Sequence, residues 1–217
     1  MESLKPIPIL DPIEIRVLGS LIEKCKTTPD YYPMTVNAIT LACNQKSSRK
    51  PLVQYNDETV VSALNSLKRK GFVATVIGGG SRSVKYRHNF EMVFQVIPAE
   101  LAVLCLLFLR GPLTPGEINS NSARLHEFTS IESVLEVLEK LSQYNPPFVK
   151  QLAKQAGQKE QRYSHLFGEI RESENEEISG GPVRKPENGL ESRLETVEKE
   201  LAELKSSFEK LYKELMG

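Results

Sequence analysis

Long apolar runs are missing from this 217-residue chain. The longest, Leu101 to Leu109, has nine residues, and a membrane-spanning helix needs about 20. Met1 to Leu10 holds two prolines, Glu2 and Lys5, so it contains neither the uninterrupted apolar stretch of a signal peptide nor a cleavage site behind one. A cytoplasmic protein without membrane contact is expected. Cysteine is scarce: Cys25, Cys43 and Cys105 are odd in number and far apart. That excludes a disulfide framework and a CxxC metal site, leaving reduced core thiols. Of the three histidines, His126 lies beside Arg124 and Glu127 with no second histidine or cysteine at a metal-ligand spacing.

A surplus of either charge is also lacking, because 28 Lys+Arg meet 28 Asp+Glu. The balance hides a polarisation. Residues 1–90 carry 13 basic and 7 acidic residues, residues 91–167 carry 7 and 8, and residues 168–217 carry 8 and 13. Lys46 to His88 alone contains nine basic residues against Asp57 and Glu58. A concentration of that kind favours a polyanionic partner.

An internal repeat is present. Pro12-x-Glu14-x-x-Val17-Leu18-x-x-Leu21 returns as Pro98-x-Glu100-x-x-Val103-Leu104-x-x-Leu107, and Lys85-Tyr86-Arg87-His88-Asn89-Phe90 returns as Arg162-Tyr163-Ser164-His165-Leu166-Phe167. The offset drops from 86 to 77, which places an insertion in the first copy around Asp30–Met34 or Asn44–Gln54. Each copy opens with a helix whose proline sits in the first turn, where its missing N–H costs nothing. Ile13, Val17, Leu18, Leu21, Ile22 and Cys25 form one stripe, and the second copy is more uniformly apolar, which implies deeper burial. Thr35 can cap a second helix, Val36–Cys43, and Thr114-Pro115-Gly116-Glu117 has capping-box form. Third helices follow over Asp57–Lys70, stopped by Gly71, and from Ser130 to about Tyr144, with Thr129 and Glu132 spaced as a cap. Strand-like runs Phe72–Val76 and Val84–His88 flank Gly78-Gly79-Gly80, and Phe148–Leu152 and Arg162–Phe167 flank Gly157, so each copy ends in a β-hairpin.

Three helices and a hairpin is the order of a winged helix-turn-helix. The expected fold is mainly α with small β-hairpins (α+β). Two tandem winged helix-turn-helix domains, 1–90 and 91–167, precede a flexible linker, 168–189, and a coiled-coil helix, 190–217. Several motifs are also specific: Glu23-Lys24, Thr27-Thr28-Pro29-Asp30-Tyr31-Tyr32-Pro33, Asn37-Ala38, Ala42-Cys43-Asn44-Gln45-Lys46-Ser47, Arg110-Gly111-Pro112 before Thr114-Pro115-Gly116-Glu117, Arg124-Leu125-His126 and Gly157-Gln158-Lys159-Glu160. On these the chain, over about residues 9–167, resembles the YceH-like bacterial proteins, a family of uncharacterised function. The resemblance implies tandem winged helices and no particular activity. One departure is the turn Asn119-Ser120-Asn121-Ser122, where family members often carry arginine.

In the first domain, Val60, Val61, Leu64 and Leu67 face inward, which leaves a polar stripe of Glu58, Ser62, Asn65 and Arg69 with Ser66 and Lys68 beside it. Asparagine and arginine read base edges through paired hydrogen bonds, and Arg82, Lys85 and Arg87 on the hairpin could neutralise phosphates. Lys46, Arg49 and Lys50 extend the basic set, so duplex DNA is the expected partner. The plainer reading is a solvated helix face whose terminal cations complement the helix dipole. Glu58 opposes phosphate. The second domain's third helix carries Glu132, Glu136 and Glu139 against Lys140, which suits packing or protein contact, and the alternative for the whole chain is a protein-interaction scaffold. His88 and His165, at equivalent positions, read as structural, while Tyr31-Tyr32 fits either a contact or a core cover. No catalytic residue, metal or cofactor is expected. Gly78–Ser81 precedes a strand and lacks the Gly-Lys-Ser/Thr of a P-loop.

The acidic, glycine-containing Gly168–Gly189 stretch separates these units from Leu190, Leu194, Val197, Leu201, Leu204, Phe208, Leu211 and Leu215, spaced alternately by four and three. That is a heptad seam. Arg193 with Glu198′ and Glu200 with Lys205′ would attract across a parallel homodimer.

Overall fold

The protein, seen here in a computed structural model, is described over residues 7–76, 83–154 and 160–168. The linker beyond Gly168 and the coiled-coil seam lie outside the described residues. The described part is mainly helical: α1 (Pro12–Thr27), α2 (Val36–Cys43), α3 (Asp57–Arg69), β1 (Val73–Val76), β2 (Lys85–His88), α4 (Phe90–Phe94), α5 (Pro98–Arg110), α6 (Pro115–Ser122), α7 (Ile131–Gln143), β3 (Val149–Gln151) and β4 (Tyr163–His165).

The repeat is plain in the backbone. β1 pairs antiparallel with β2, Val73 opposite His88, and β3 with β4, Val149 opposite His165. A bridge extends each hairpin at the same place, Met34 to Tyr86 and Leu113 to Tyr163. The offset between the copies is 86 at Pro12 and Pro98, 79 at the N-caps Thr35 and Thr114, 74 at the N-caps Asn56 and Ser130, and 77 at His88 and His165. The first copy therefore has seven extra residues before α2 (86 less 79), three in the longer α1 and four in the loop that contains Asp30–Met34, and five before α3 (79 less 74), in the loop that contains Asn44–Gln54.

Helix starts follow local chemistry. Asp11 accepts from Ile13 N–H and Glu14 N–H, both 2.8 Å, while Glu14 Oε2 accepts from Asp11 N–H, which closes a capping box. Ile97 has no side-chain acceptor, so before α5 only the return bond from Ile97 N–H to Glu100 Oε2 forms, at 3.0 Å. At α7 the cap is Ser130 with Ser133 rather than Thr129 with Glu132. Asn119–Ser122 is the end of α6 rather than a turn, with Asn121 Nδ2 donating to Glu117 O and Ser122 buried. Gly71, at φ 81°, ends α3 in a conformation that favours glycine.

The core is one contiguous cluster drawn from both copies. Helix α1 is buried on every side from Glu14 to Ile22 rather than along one stripe, because α5 covers the face that α2 and α3 leave open. Close approach there needs Gly19, whose missing Cβ would sit 3.0 Å from Leu109 Cδ2 and Phe108 Cβ. Phe72, Phe90, Phe94, Phe148 and Phe167 are fully buried, with neighbouring centroids 5.0–6.0 Å apart. The unforeseen α4 supplies two of these rings. Cys43 and Cys105 are buried and Cys25 partly so.

The buried charges are partnered across elements. Lys70 Nζ donates to Glu14 Oε2 at 2.6 Å, and in the second copy Lys140 reaches Glu100 Oε1 at 2.8 Å while Tyr144 Oη donates to Glu100 Oε2 at 3.1 Å. Burial alone would raise the Glu14 carboxyl, but the bonds from Lys70 and Ser66 outweigh it and hold it below the usual range. Each first helix is thus tied at its N-terminus to its third helix.

Candidate nucleic-acid interface

The α3 stripe is built as the periodicity requires. Val60, Ala63, Leu64 and Leu67 are buried, Val61 is half-buried, and Glu58, Ser62, Asn65, Lys68 and Arg69 are exposed, with Ser66 half-buried beside them. An open cleft of about 390 Å³ runs along one side of this stripe, lined by Ser62, Ser66, Arg69 and Thr59 of α3 and by Asp11 and Ile13 at the start of α1. The acids at the leading end are not equivalent. Thr40 Oγ1 donates to Asp57 Oδ1 at 2.5 Å, fixing that carboxylate to α2, whereas Glu58 stays exposed on the stripe.

On the first hairpin, Arg87 is exposed and Lys85 half-buried, while Arg82 and Gly78–Gly80 lie outside the described residues. The second copy shows what Lys85 lacks. Arg162, its counterpart, forms a two-pronged bond to Glu117, Nη1 to Oε2 at 2.9 Å and Nη2 to Oε1 at 3.1 Å. At the place of Glu117 the first copy has Ala38. Among the described residues no carboxylate pairs with Lys85, Arg87, Lys68 or Arg69. Among the described residues, one repeat neutralises the cation at the loop end of its hairpin and the other leaves it without a carboxylate.

Arg49 does not belong to this surface. Its side chain is fully buried, with Nη2 2.6 Å and Nη1 3.0 Å from the Glu23 carboxylate, and Nε and Nη2 also donate to Ala42 O. A guanidinium so committed caps the Ala42 carbonyl at the C-terminal end of α2 and cannot meet a phosphate. Burial would raise the Glu23 carboxyl, but the bonds and charge of Arg49 outweigh it and hold it low. Arg16, also buried, donates to Pro51 O at 2.7 Å and Cys43 O at 3.4 Å, so two arginines seat the 44–56 loop. Lys46 and Lys50, by contrast, are exposed. The signal for Arg49 is Glu23, 26 residues upstream and invisible to local reading.

Tyr31 and Tyr32 separate in role. Tyr31 is 80% exposed, whereas Tyr32 packs on the core and its Oη accepts from His88 N–H at 2.6 Å. His126 lies 4.7 Å from the Phe128 ring. His88 and His165 are enclosed, each with an Nδ1 lacking a hydrogen-bond partner, and burial pushes both down to about 4. On α7, Glu132, Glu136 and Glu139 are exposed together with Ile131 and Leu135. No helix among the described residues is long and apolar enough to cross a membrane, and none of their His, Cys, Asp and Glu side chains cluster as a metal site.

Fold and surface together define a mainly helical protein of two unequal repeats, each three principal helices and a hairpin, of which the first displays cations that no carboxylate among the described residues pairs. A family described as a protein of unknown function, DUF480, matches residues 10–158. A UPF0502 protein of Pectobacterium carotovorum is 45% identical over 202 residues, spanning 90% of this chain and 94% of its own. A UPF0502 protein of Shewanella halifaxensis is 42% identical over 206 residues (90% and 94%), and one of Opitutus terrae 46% over 165 (76% and 72%). The chain belongs to the DUF480/UPF0502 family, the YceH-like group that its motifs indicate.

Proposed function

We propose that this chain is a cytoplasmic tandem winged-helix protein that binds double-stranded DNA, as a regulator, through α3 and the first hairpin. In this reading the two repeats are winged helix-turn-helix domains, and residues 190–217 form a parallel coiled coil that presents two copies of the basic face to one duplex. No catalysis and no cofactor are assigned. The observation that carries the reading is the contrast between repeats. Lys85 has no carboxylate where Arg162 has Glu117, and the stripe on α3 offers Ser62 and Asn65 where α7, 74 residues on, offers Glu136 and Glu139.

Glu58 is the opposing charge. It complements the N-terminal end of the α3 dipole, and Glu58→Gln is expected to raise affinity for every duplex. Lys85→Ala/Arg87→Ala is expected to weaken binding to all sequences alike. Asn65→Ala and Arg69→Ala are each expected to cost about 1–3 kcal/mol at a preferred site and to relax its sequence preference. Unchanged affinity in the hairpin double variant would remove the hairpin from the interface.

A specific observation favours a second role for the other repeat. Ile131 and Leu135, 44% and 41% exposed, sit among Glu132, Glu136 and Glu139 on α7, a surface suited to protein contact rather than phosphate.

A further inference from the structure

The loop before α3 is five residues longer than its counterpart before α7, and it is strongly anchored. Asn44 Nδ2 donates to Tyr55 O and Asn44 Oδ1 accepts from Tyr55 N–H, both 2.8 Å, which clasps the loop at its base. Arg49 turns inward onto Glu23 and Ala42 O, Arg16 holds Pro51 O, and Lys50 N–H donates to Leu109 O at 2.9 Å. With the chain pinned at these points and Ser48 at φ 59° reversing its direction, Lys46, Ser47, Ser48 and Lys50 all face solvent. From the end of α5, in the other repeat, Arg110 Nη2 donates to Ser48 Oγ at 3.0 Å. Residues 44–56 contain no Asp or Glu, and Glu23 is taken by Arg49.

We propose that Lys46, Ser47, Ser48 and Lys50 with Arg110 form a clamp for one or two adjacent backbone phosphates of a DNA duplex, so that both repeats touch one duplex. This rests on the duplex reading above. Three cations and two hydroxyls match the acceptor oxygens of a phosphodiester. Four of the donors lie on the exposed loop and the fifth, Arg110, is half-buried at the end of α5 beside it, an open arrangement that suits a phosphate held in a polymer rather than a free ion. Because folding already fixes the loop, binding orders little further backbone.

The test compares full-length wild type with Lys46→Ala/Lys50→Ala/Arg110→Ala, titrating a labelled 20-base-pair duplex of random sequence over a series of salt concentrations. The clamp predicts a log–log salt slope shallower by about 1–2 in the triple variant, with affinity at least tenfold lower at about 100 mM salt. Wild-type binding with the same slope and affinity in the variant would overturn the clamp and leave the duplex reading standing. Absence of wild-type binding at low salt would overturn the duplex reading itself. Should the triple variant melt early, Lys46→Glu/Lys50→Glu, confined to exposed side chains, carries the same comparison with the same expected direction.

Discussion

Replacing Arg49 separates a buried anchor from a phosphate contact. Its guanidinium, with no exposed side-chain surface, makes two bonds of 2.6 and 3.0 Å to Glu23 and two of 3.0 and 3.1 Å to Ala42 O. Arg49→Ala would leave a carboxylate with only 13% exposure beside Lys24 alone, 3.5 Å away, and would strand the Ala42 carbonyl at the end of α2. Removing one partner of a buried pair costs about 3–5 kcal/mol, which lowers the melting midpoint of a unit this size by about 10 °C. Arg49→Lys keeps the charge but loses the fork, so it should fall between. Lys46→Ala, on the exposed tip three residues away, should stay within about 0.5 kcal/mol of wild type. The assay is urea unfolding followed by circular dichroism. An Arg49→Ala protein of wild-type stability with reduced duplex affinity would refute the reasoning and return Arg49 to the surface.

Other outcomes follow from the same contacts. Burial holds His88 and His165 near 4, below the about 6.5 of an unfolded chain. The unfolded state therefore binds protons first, and stability is full above about pH 6.5 and falls as pH drops toward 4. The fall is about 1.5 kcal/mol per histidine between pH 6.5 and 5, and equal urea midpoints at those two pH values would contradict it. Gly19→Val drives side-chain atoms into Phe108 and Leu109, and a loss of about 1–3 kcal/mol is expected, with an unchanged midpoint as the contrary result. Truncation at Gly189 should convert a dimer to a monomer in sedimentation, and a dimer that survives truncation would remove the coiled-coil assignment.

What the sequence made legible was local. The repeated Pro-x-Glu start, the caps at Thr35 and Thr114, the stop at Gly71 and the hairpins are set by residues within a few positions of one another, and the backbone follows them. What it concealed depends on distant partners. Arg49 sits in Lys46-Ser47-Ser48-Arg49-Lys50, a run with the composition of a solvated loop, and its burial depends on Glu23. The all-round burial of α1 depends on α5, 86 residues on, and Glu14 and Arg16 look like surface charges until Lys70 and Pro51 O are in place. Helix α4 has only five residues and no side-chain cap, too short for periodicity to register. For the candidate interface, the stripe on α3 was readable because its own spacing defines it. The neutralised state of Arg162, and with it the contrast to Lys85, which no carboxylate among the described residues pairs, was not, because it needed the 45-residue contact to Glu117.

The measurement closest to the central claim is the affinity of the full-length protein for a labelled random-sequence duplex at about 50 and 200 mM salt. Neutralising about six phosphates gives a log–log slope near −5, so affinity should fall by about three orders of magnitude between the two. No binding at the lower salt would contradict the account and leave the protein-contact surface on α7 as the place to look for a partner.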